Sequence, residues 1–305
     1  MPYLLLLSSL GTRTVMAITT KSNSRSYSAL GMIGSFLYVF VTAVFSVFFF
    51  WALNGFTLSI NPRVTLYGAI YAGVVIVNLT ATVFMYNYGS ITTVSFIQST
   101  LSLILAALSG ALLFGEQFPP EKLLQIAIML LCVSVVFIGA RKTIVDHAQQ
   151  KQRSGLHPLS IILPSIVALM GVVATMFMKT YDEDVGTTDI NSFFFMTNVF
   201  LLIYTVPIIL AIGKKRGIPL GEIGSMIADK RTFILFINTA IGSVSSVISA
   251  ALIAEMEVAV YTAASSAIGF IAPALATPFV RERLDRYSIT ATLLALLSII
   301  IPSLI

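Results

Sequence analysis

Charged residues are scarce in this chain of 305 residues. They make up 10% of it, against 57% hydrophobic residues, and the mean hydropathy is +0.95. Because soluble domains carry about 25% charged residues, this composition excludes a water-soluble globular protein. The longest stretches between apolar runs, residues 141–157 and 213–231, are too short to fold as a separate domain, and we interpret them as connectors.

Cysteine and histidine are nearly absent as well. Cys132 is the one cysteine, so the chain can form neither an intramolecular disulfide nor a cysteine metal cluster. The two histidines, His147 and His157, lie at a connector, away from any buried carboxylate or serine that could complete a hydrolytic triad or a zinc site. A glycine-rich phosphate loop is missing too. We therefore expect no enzymatic activity, no cofactor and no bound metal.

The chain instead contains ten apolar runs of about twenty residues. A helix rises ~1.5 Å per residue and the hydrocarbon core is ~30 Å thick, so each run is about long enough to cross a bilayer. Runs such as residues 36–50 lack the alternation of a barrel strand. We predict an all-α transmembrane protein whose ten helices cover residues 3–20, 29–53, 64–86, 91–114, 121–140, 158–178, 192–212, 232–254, 258–280 and 287–305.

Basic residues indicate an orientation in the membrane. The connectors after odd-numbered runs hold 14 lysines and arginines, among them Lys21 and Arg25, and those after even-numbered runs hold three. Because basic residues are retained on the cytoplasmic side, this distribution places both termini outside the cytoplasm. The first run could instead be a cleaved signal peptide, but no basic residue precedes its core and Arg13 interrupts it.

The two halves of the chain share one order of runs. A shift of 166 residues aligns residues 116–118 (Glu-Gln-Phe) with residues 282–284 (Glu-Arg-Leu), and each triplet lies between two apolar runs. We predict one five-helix repeat over residues 1–142, a connector over residues 143–157 and a second five-helix repeat over residues 158–305. An odd number of spans per repeat inverts the second copy relative to the first.

Two segments carry a resemblance to a known family. Residues 112–142 (LLFGEQFPPEKLLQIAIMLLCVSVVFIGARK) and residues 276–302 (ATPFVRERLDRYSITATLLALLSIIIP) each join an apolar helix, an acidic turn and a second apolar helix. In this pattern the chain resembles the drug/metabolite transporter superfamily, in particular its ten-span members built from two EamA-type repeats. It departs from them at Leu103 and Gly269, where relatives often carry a proline. The resemblance implies a transporter with a central cavity and with both termini in the cytoplasm, opposite to the indication of the basic residues.

Polar residues inside the runs are the candidates for a site, since an unpaired polar group in hydrocarbon is costly and usually faces the bundle interior. Arg13 lies near the middle of run one and shares a helical face with Ser9, Met16 and Thr20. We predict that its guanidinium binds an anionic or carboxylate-bearing substrate. The alternative is an arginine that snorkels to the interface or pairs with backbone carbonyls.

The other candidate substrate-binding residues come from runs that build the cavity in relatives. They are Asn78, Gln98, Asn198, Asn238, Ser245, Tyr261 and Ser265. By helical spacing, Asn238 and Ser245 share one polar face of run eight with Gly242 and Ser249, and Tyr261 and Ser265 lie four positions apart in run nine. A serine of this set could instead bond to its own helix or join two helices.

Carboxylates are missing from the depths of the runs. Glu116 and Glu282 lie at run ends, where we expect them to cap or pair across a turn, whereas Glu255 and Glu257 could stand at a cavity mouth. A proton relay through a buried acid is therefore not expected.

We predict a secondary transporter that moves a small polar metabolite, of amino acid or organic anion type, by alternating access. The alternatives are a non-transporting subunit or sensor of the same fold and a sugar-phosphate or nucleotide-sugar exchanger. The expected partners are the lipid bilayer and a small-molecule solute, without nucleic acid. We expect a multi-pass protein of the plasma membrane, monomeric rather than dimeric.

Overall fold

The structure is a computed structural model of the chain. It describes residues 2–28, 30–88, 91–113, 115, 120, 123–124, 126–132, 134–135, 138, 159–186, 189–219, 221–222, 224, 231–256, 258–279 and 286–300. Throughout these residues the regular secondary structure is helical, so the prediction of an all-α protein is confirmed for the described part.

The helices follow the predicted order. They are α1 (Pro2–Ser28), α2 (Met32–Leu53), α3 (Pro62–Tyr88), α4 (Ile91–Leu113), α5 (within residues 126–132), α6 (Leu159–Val185), α7 (Ile190–Arg216), α8 (Arg231–Glu255), α9 (Val258–Ala276) and α10 (Arg286–Ile300).

Six helices are long and apolar enough to cross a membrane, namely α2, α3, α4, α6, α7 and α8. Apolar stretches of α9 and α10, Ala264–Ala276 and Ile289–Ser298, are shorter. Large apolar side chains such as Phe48, Leu112 and Phe233 remain exposed on the bundle, as expected where lipid replaces water as the solvent. The described chain therefore has the character of a helical membrane protein, and ten crossings stay a prediction.

The boundary predicted for the first helix is wrong. Residues 3–20 were expected to form it, with Lys21 and Arg25 in the following connector, but α1 continues to Ser28. Lys21 is buried, and its Nζ donates to the carbonyl oxygen of Tyr86 at 2.9 Å. The α6 helix likewise continues beyond residue 178, and Lys179 Nζ donates to the carbonyl oxygen of Ile253 at 3.5 Å. Each lysine reaches a carbonyl in the last turn of another helix.

The helix ends use ordinary backbone signals. The α7 helix stops at Gly217, whose φ of 65° favours glycine, and the amide of Ile218 donates to the carbonyl oxygen of Gly213 at 3.0 Å. Lys214, Lys215 and Arg216 occupy the last turn, where positive charge is favourable to the helix dipole.

Eight helices surround the centre of the bundle, and α5 and α10 lie outside them. Contacts join α2 to α7 and α4 to α9. Six further kinds of contact occur in pairs: α1–α8 and α3–α6; α2–α8 and α3–α7; α1–α9 and α4–α6; α1–α3 and α6–α8; α2–α3 and α7–α8; α3–α4 and α8–α9. Met129 of α5 and Ala291 of α10 pack with Phe96 and Phe270 of the central α4 and α9 helices.

Several predicted features lie outside the described residues. They are the acidic turns at 116–118 and 282–284, the connector 143–157 with His147, His157 at its edge, and Glu257.

Candidate functional site

A cavity of about 540 Å³ lies among α1, α2, α3, α4, α6, α7, α8 and α9. All eight residues that the sequence predicts as substrate contacts line it: Arg13, Asn78, Gln98, Asn198, Asn238, Ser245, Tyr261 and Ser265. Helical spacing was the basis for several of them, because polar residues three or four positions apart share one face. That they bind a substrate stays a prediction.

Arg13 is the charged group of this lining. It is half-buried, and its Nη1 donates to the Oγ of Ser265 at 2.7 Å and to the backbone oxygen of Ser265 at 3.2 Å. Its Nη2 and Nε make no hydrogen bond within the described residues, and no described carboxylate pairs with it. The sequence analysis left open that Arg13 pairs with backbone carbonyls. The contact with the Ser265 carbonyl uses one edge of the guanidinium, and the other edge can still bind an anion.

Negative charge is missing from the described lining, which contains neither Asp nor Glu. Glu255, considered from sequence for a cavity mouth, is exposed at the end of α8 and is not part of the lining. Among the described residues no group of three His, Cys, Asp or Glu is placed to hold a metal ion. Arg13 is therefore a cation without a counter-ion in this part of the chain.

Asn238 is held by three neighbouring side chains. Its Oδ1 accepts hydrogen bonds from the hydroxyls of Thr19 at 2.5 Å and Thr20 at 3.5 Å, and its Nδ2 donates to the Tyr38 hydroxyl at 3.3 Å. This amide joins α1, α2 and α8, so its side-chain groups are already bonded without a ligand.

The other amides differ in how far they are engaged. Asn198 Nδ2 donates to the Phe194 carbonyl of its own helix at 2.7 Å. Asn78 Oδ1 accepts from Thr82 at 3.4 Å, and its Nδ2 has no partner in the described chain. The Gln98 amide makes no hydrogen bond to any described residue. Asn78 and Gln98 thus present polar groups that a ligand or water can use.

Hydroxyl groups cover much of the remaining wall. Ser245, on the polar face of α8 that the sequence predicts, makes no hydrogen bond within the described chain, and neither does the Tyr261 hydroxyl. The hydroxyl of Thr42 is buried and has no partner among described groups. An unbonded buried hydroxyl is costly, and a bound solute or water would satisfy it.

The α2 helix supplies a part of the site that the sequence analysis did not predict. Tyr38, Thr42, Ser46 and Phe50 line the cavity at intervals of four residues. Three of them are polar residues of a mostly apolar run, so the same spacing argument would have found this face.

One end of the cavity is aromatic and apolar. We call the aromatic end the set of packed cavity residues Phe50, Tyr71, Met178, Phe194, Ile253 and Tyr261. Phe50 and Phe194 stack with their ring centres 4.9 Å apart, and the Tyr71 hydroxyl lies 3.4 Å from the sulfur of Met178. The cavity is therefore amphipathic, with its cation beside hydroxyls and amides and its rings at one end.

Among known proteins, solved structures resemble this chain in their fold. No family model matches the chain, and no curated protein matches it. Among solved structures, 26 chains are similar. One of them, a crystal structure described only as that of a protein, has a TM-score of 0.62 and 14% sequence identity, over 99% of this chain and 96% of that chain. At this identity the likeness concerns the fold of the whole chain.

Proposed function

We propose that this protein is a secondary transporter of a small polar metabolite that carries negative charge, of the amino acid or organic anion type. The observation that carries the proposal is Arg13, a cation on the wall of a polar cavity inside a helical membrane bundle, without a described counter-ion. A charge held in such surroundings is costly unless it is paired. An anionic solute supplies the missing partner.

The size and lining of the cavity suit a small solute. A volume of about 540 Å³ lies within the range of about 300–1,000 Å³ that is common for small-molecule sites. Hydroxyls and amides can replace the water that a polar solute loses on binding.

The helix contacts support an organisation as two inverted repeats. Suppose that each of the first five helices is exchanged with the helix five places later. The α1–α8 contact then becomes the α6–α3 contact, and the other paired contacts are exchanged in the same way. The lysine contacts follow the same rule, because Lys21 joins α1 to the end of α3 and Lys179 joins α6 to the end of α8. We propose repeats over residues 1–142 and 158–305, joined by residues 143–157.

Such repeats place a solute site between them and alternate its access by rocking. With the resemblance in residues 112–142 and 276–302, we propose a member of the drug/metabolite transporter superfamily of EamA type, working as a monomer in the plasma membrane.

The test measures flux into liposomes that contain the purified full-length protein, with labelled amino acids and organic anions. We expect saturable uptake of at least one anion. Arg13→Gln should lower this uptake roughly tenfold or more, since a charge-assisted hydrogen bond contributes about 1.5–3 kcal/mol and 1.4 kcal/mol corresponds to a factor of ten.

The matched control is Arg63→Gln. Arg63 pairs with Asp184 at 3.2 Å on the surface, with 68% of its side chain exposed, so its loss should leave uptake within about twofold because exposed pairs contribute little. Full uptake by the Arg13 variant would contradict the proposed site, and a lack of saturable flux for every solute would favour a non-transporting sensor or subunit.

A further inference from the structure

The aromatic end restricts which anion fits the cavity. We propose that the preferred solute is an arylalkyl monocarboxylate, with its carboxylate on the free edge of Arg13 and its ring at the aromatic end. The proposal rests on the proposed function, because it names the substrate class of the same cavity.

The spacing along α9 sets the length of the solute. Arg13 is bonded to Ser265, and Tyr261 of the aromatic end precedes Ser265 by four residues. Four residues of an α-helix rise about 6 Å, and side chains lean toward the helix N-terminus. The ring of Tyr261 is therefore expected about 6 Å, along the axis of α9, from the group that Arg13 binds.

A two-carbon spacer covers this distance. In extended 3-phenylpropionate the carboxyl carbon lies about 5 Å from the ring centre by ordinary bond lengths, and a hydrogen bond to Arg13 adds about 3 Å. A short aliphatic acid would leave the aromatic end without a partner.

The aromatic end offers suitable contacts for a ring. Phe50 and Phe194 both line the cavity and stack on each other at 4.9 Å, so a third ring can pack against them in an offset or edge-on arrangement. The sulfur of Met178 lies on the same wall and makes favourable contacts with rings.

The charge of the lining favours a monoanion over a zwitterion. One carboxylate neutralises Arg13, whereas the ammonium of an aromatic amino acid would find no carboxylate on the described wall. Desolvating an ammonium without a counter-charge is costly. The solute is therefore expected to lack an amino group.

Calorimetric titration of the full-length protein in nanodiscs tests this. The probes are 3-phenylpropionate, propionate, phenylalanine and 2-phenylethylamine. We expect 3-phenylpropionate to bind on the order of tenfold or more tightly than propionate, because ring burial adds apolar contact. Its affinity should exceed that of phenylalanine by a similar factor, and 2-phenylethylamine should not bind.

A matched pair of double variants locates the ring site. Phe50→Leu with Phe194→Leu should lower the affinity for 3-phenylpropionate until it is close to the affinity for propionate in the same variant. Phe96→Leu with Phe270→Leu is the control, because these rings stack at 4.6 Å, are equally buried and do not line the cavity. The control variant should still bind 3-phenylpropionate more tightly than propionate.

Three results would overturn this inference. They are equal affinity for propionate and 3-phenylpropionate, tighter binding of phenylalanine than of 3-phenylpropionate, and loss of the preference for 3-phenylpropionate over propionate in the control variant alone. The probe series decides the matter even if a double variant does not fold. Flux of another anion that depends on Arg13 would leave the proposed function standing while this inference fails. Absence of any saturable flux would end both.

Discussion

Asn238 and Gln98 carry the same amide group in the same cavity but differ in their hydrogen bonds. Asn238 bonds to Thr19, Thr20 and Tyr38, whereas Gln98 has no partner in the described chain. A cavity residue that holds helices together contributes to stability, and one that is free contributes to solute binding. At the residue scale these two roles can be separated by experiment.

Asn238→Leu should lower the stability of the folded protein by about 1–3 kcal/mol, because it removes the hydrogen bonds that join α8 to Thr20 and Tyr38. Gln98→Leu should keep stability within about 0.5 kcal/mol but reduce uptake of the transported anion. Thermal unfolding and liposome uptake of both variants check this. Equal loss of stability in the two variants would contradict the division.

The sequence could predict which side chains face the cavity, but not which of them bond to one another. Spacing places Asn238 and Ser245 on one face of a helix without reference to other helices. The bond from Asn238 to Tyr38 joins residues that are 200 positions apart, and only the packing of three helices brings them together. For the same reason the sequence could not tell that Arg13 binds Ser265.

At the scale of the helices, the close approach of α3 to α7 depends on Gly68. A Cβ added there would lie 3.0 Å from the Cβ of Met196 and 3.1 Å from the amide nitrogen of Thr197. A backbone atom cannot move aside as a flexible side chain can, so this contact fixes the distance between the two helices. Gly73, further along α3, has no atom within 4 Å of such a Cβ.

Gly68→Ala should therefore destabilise the protein by roughly 1–3 kcal/mol, the usual cost of overpacking. Gly73→Ala is the control, and it should be neutral or stabilising by up to about 1 kcal/mol because alanine favours a helix. Thermal unfolding in detergent measures both. A stable Gly68 variant would show that α3 and α7 are not held this closely.

The helices that the sequence predicts agree with the structure best where a run is apolar throughout. The predicted span 91–114 matches α4 (Ile91–Leu113) closely, whereas the spans ending at residues 20 and 178 are too short. A span predicted from hydropathy ends before Lys21 or Lys179 because a charged side chain is assumed to face water. Each ammonium instead reaches a carbonyl of another helix, and this contact cannot be seen in a single run.

At the scale of the whole molecule, eight helices enclose one cavity whose positive charge comes from Arg13. The composition of the chain and its ten runs predict the membrane bundle, and the resemblance implies six of the eight central helices, without α2 and α6. The volume of the cavity and its division into a charged region and an aromatic end depend on how the eight helices pack, so they could not be predicted from the sequence.

The charge at position 13 can be removed and restored chemically. Cys132, whose thiol is buried, is first replaced by alanine so that position 13 carries the reactive cysteine. In this Cys132→Ala background, Arg13→Cys should abolish most uptake of the transported anion into liposomes. Reaction with 2-aminoethyl methanethiosulfonate, which adds an ammonium, should recover part of that uptake, and the sulfonatoethyl reagent, which adds an anion, should not. Full uptake by the unmodified cysteine variant, or equal recovery with both reagents, would contradict a role for the positive charge at position 13 in solute binding.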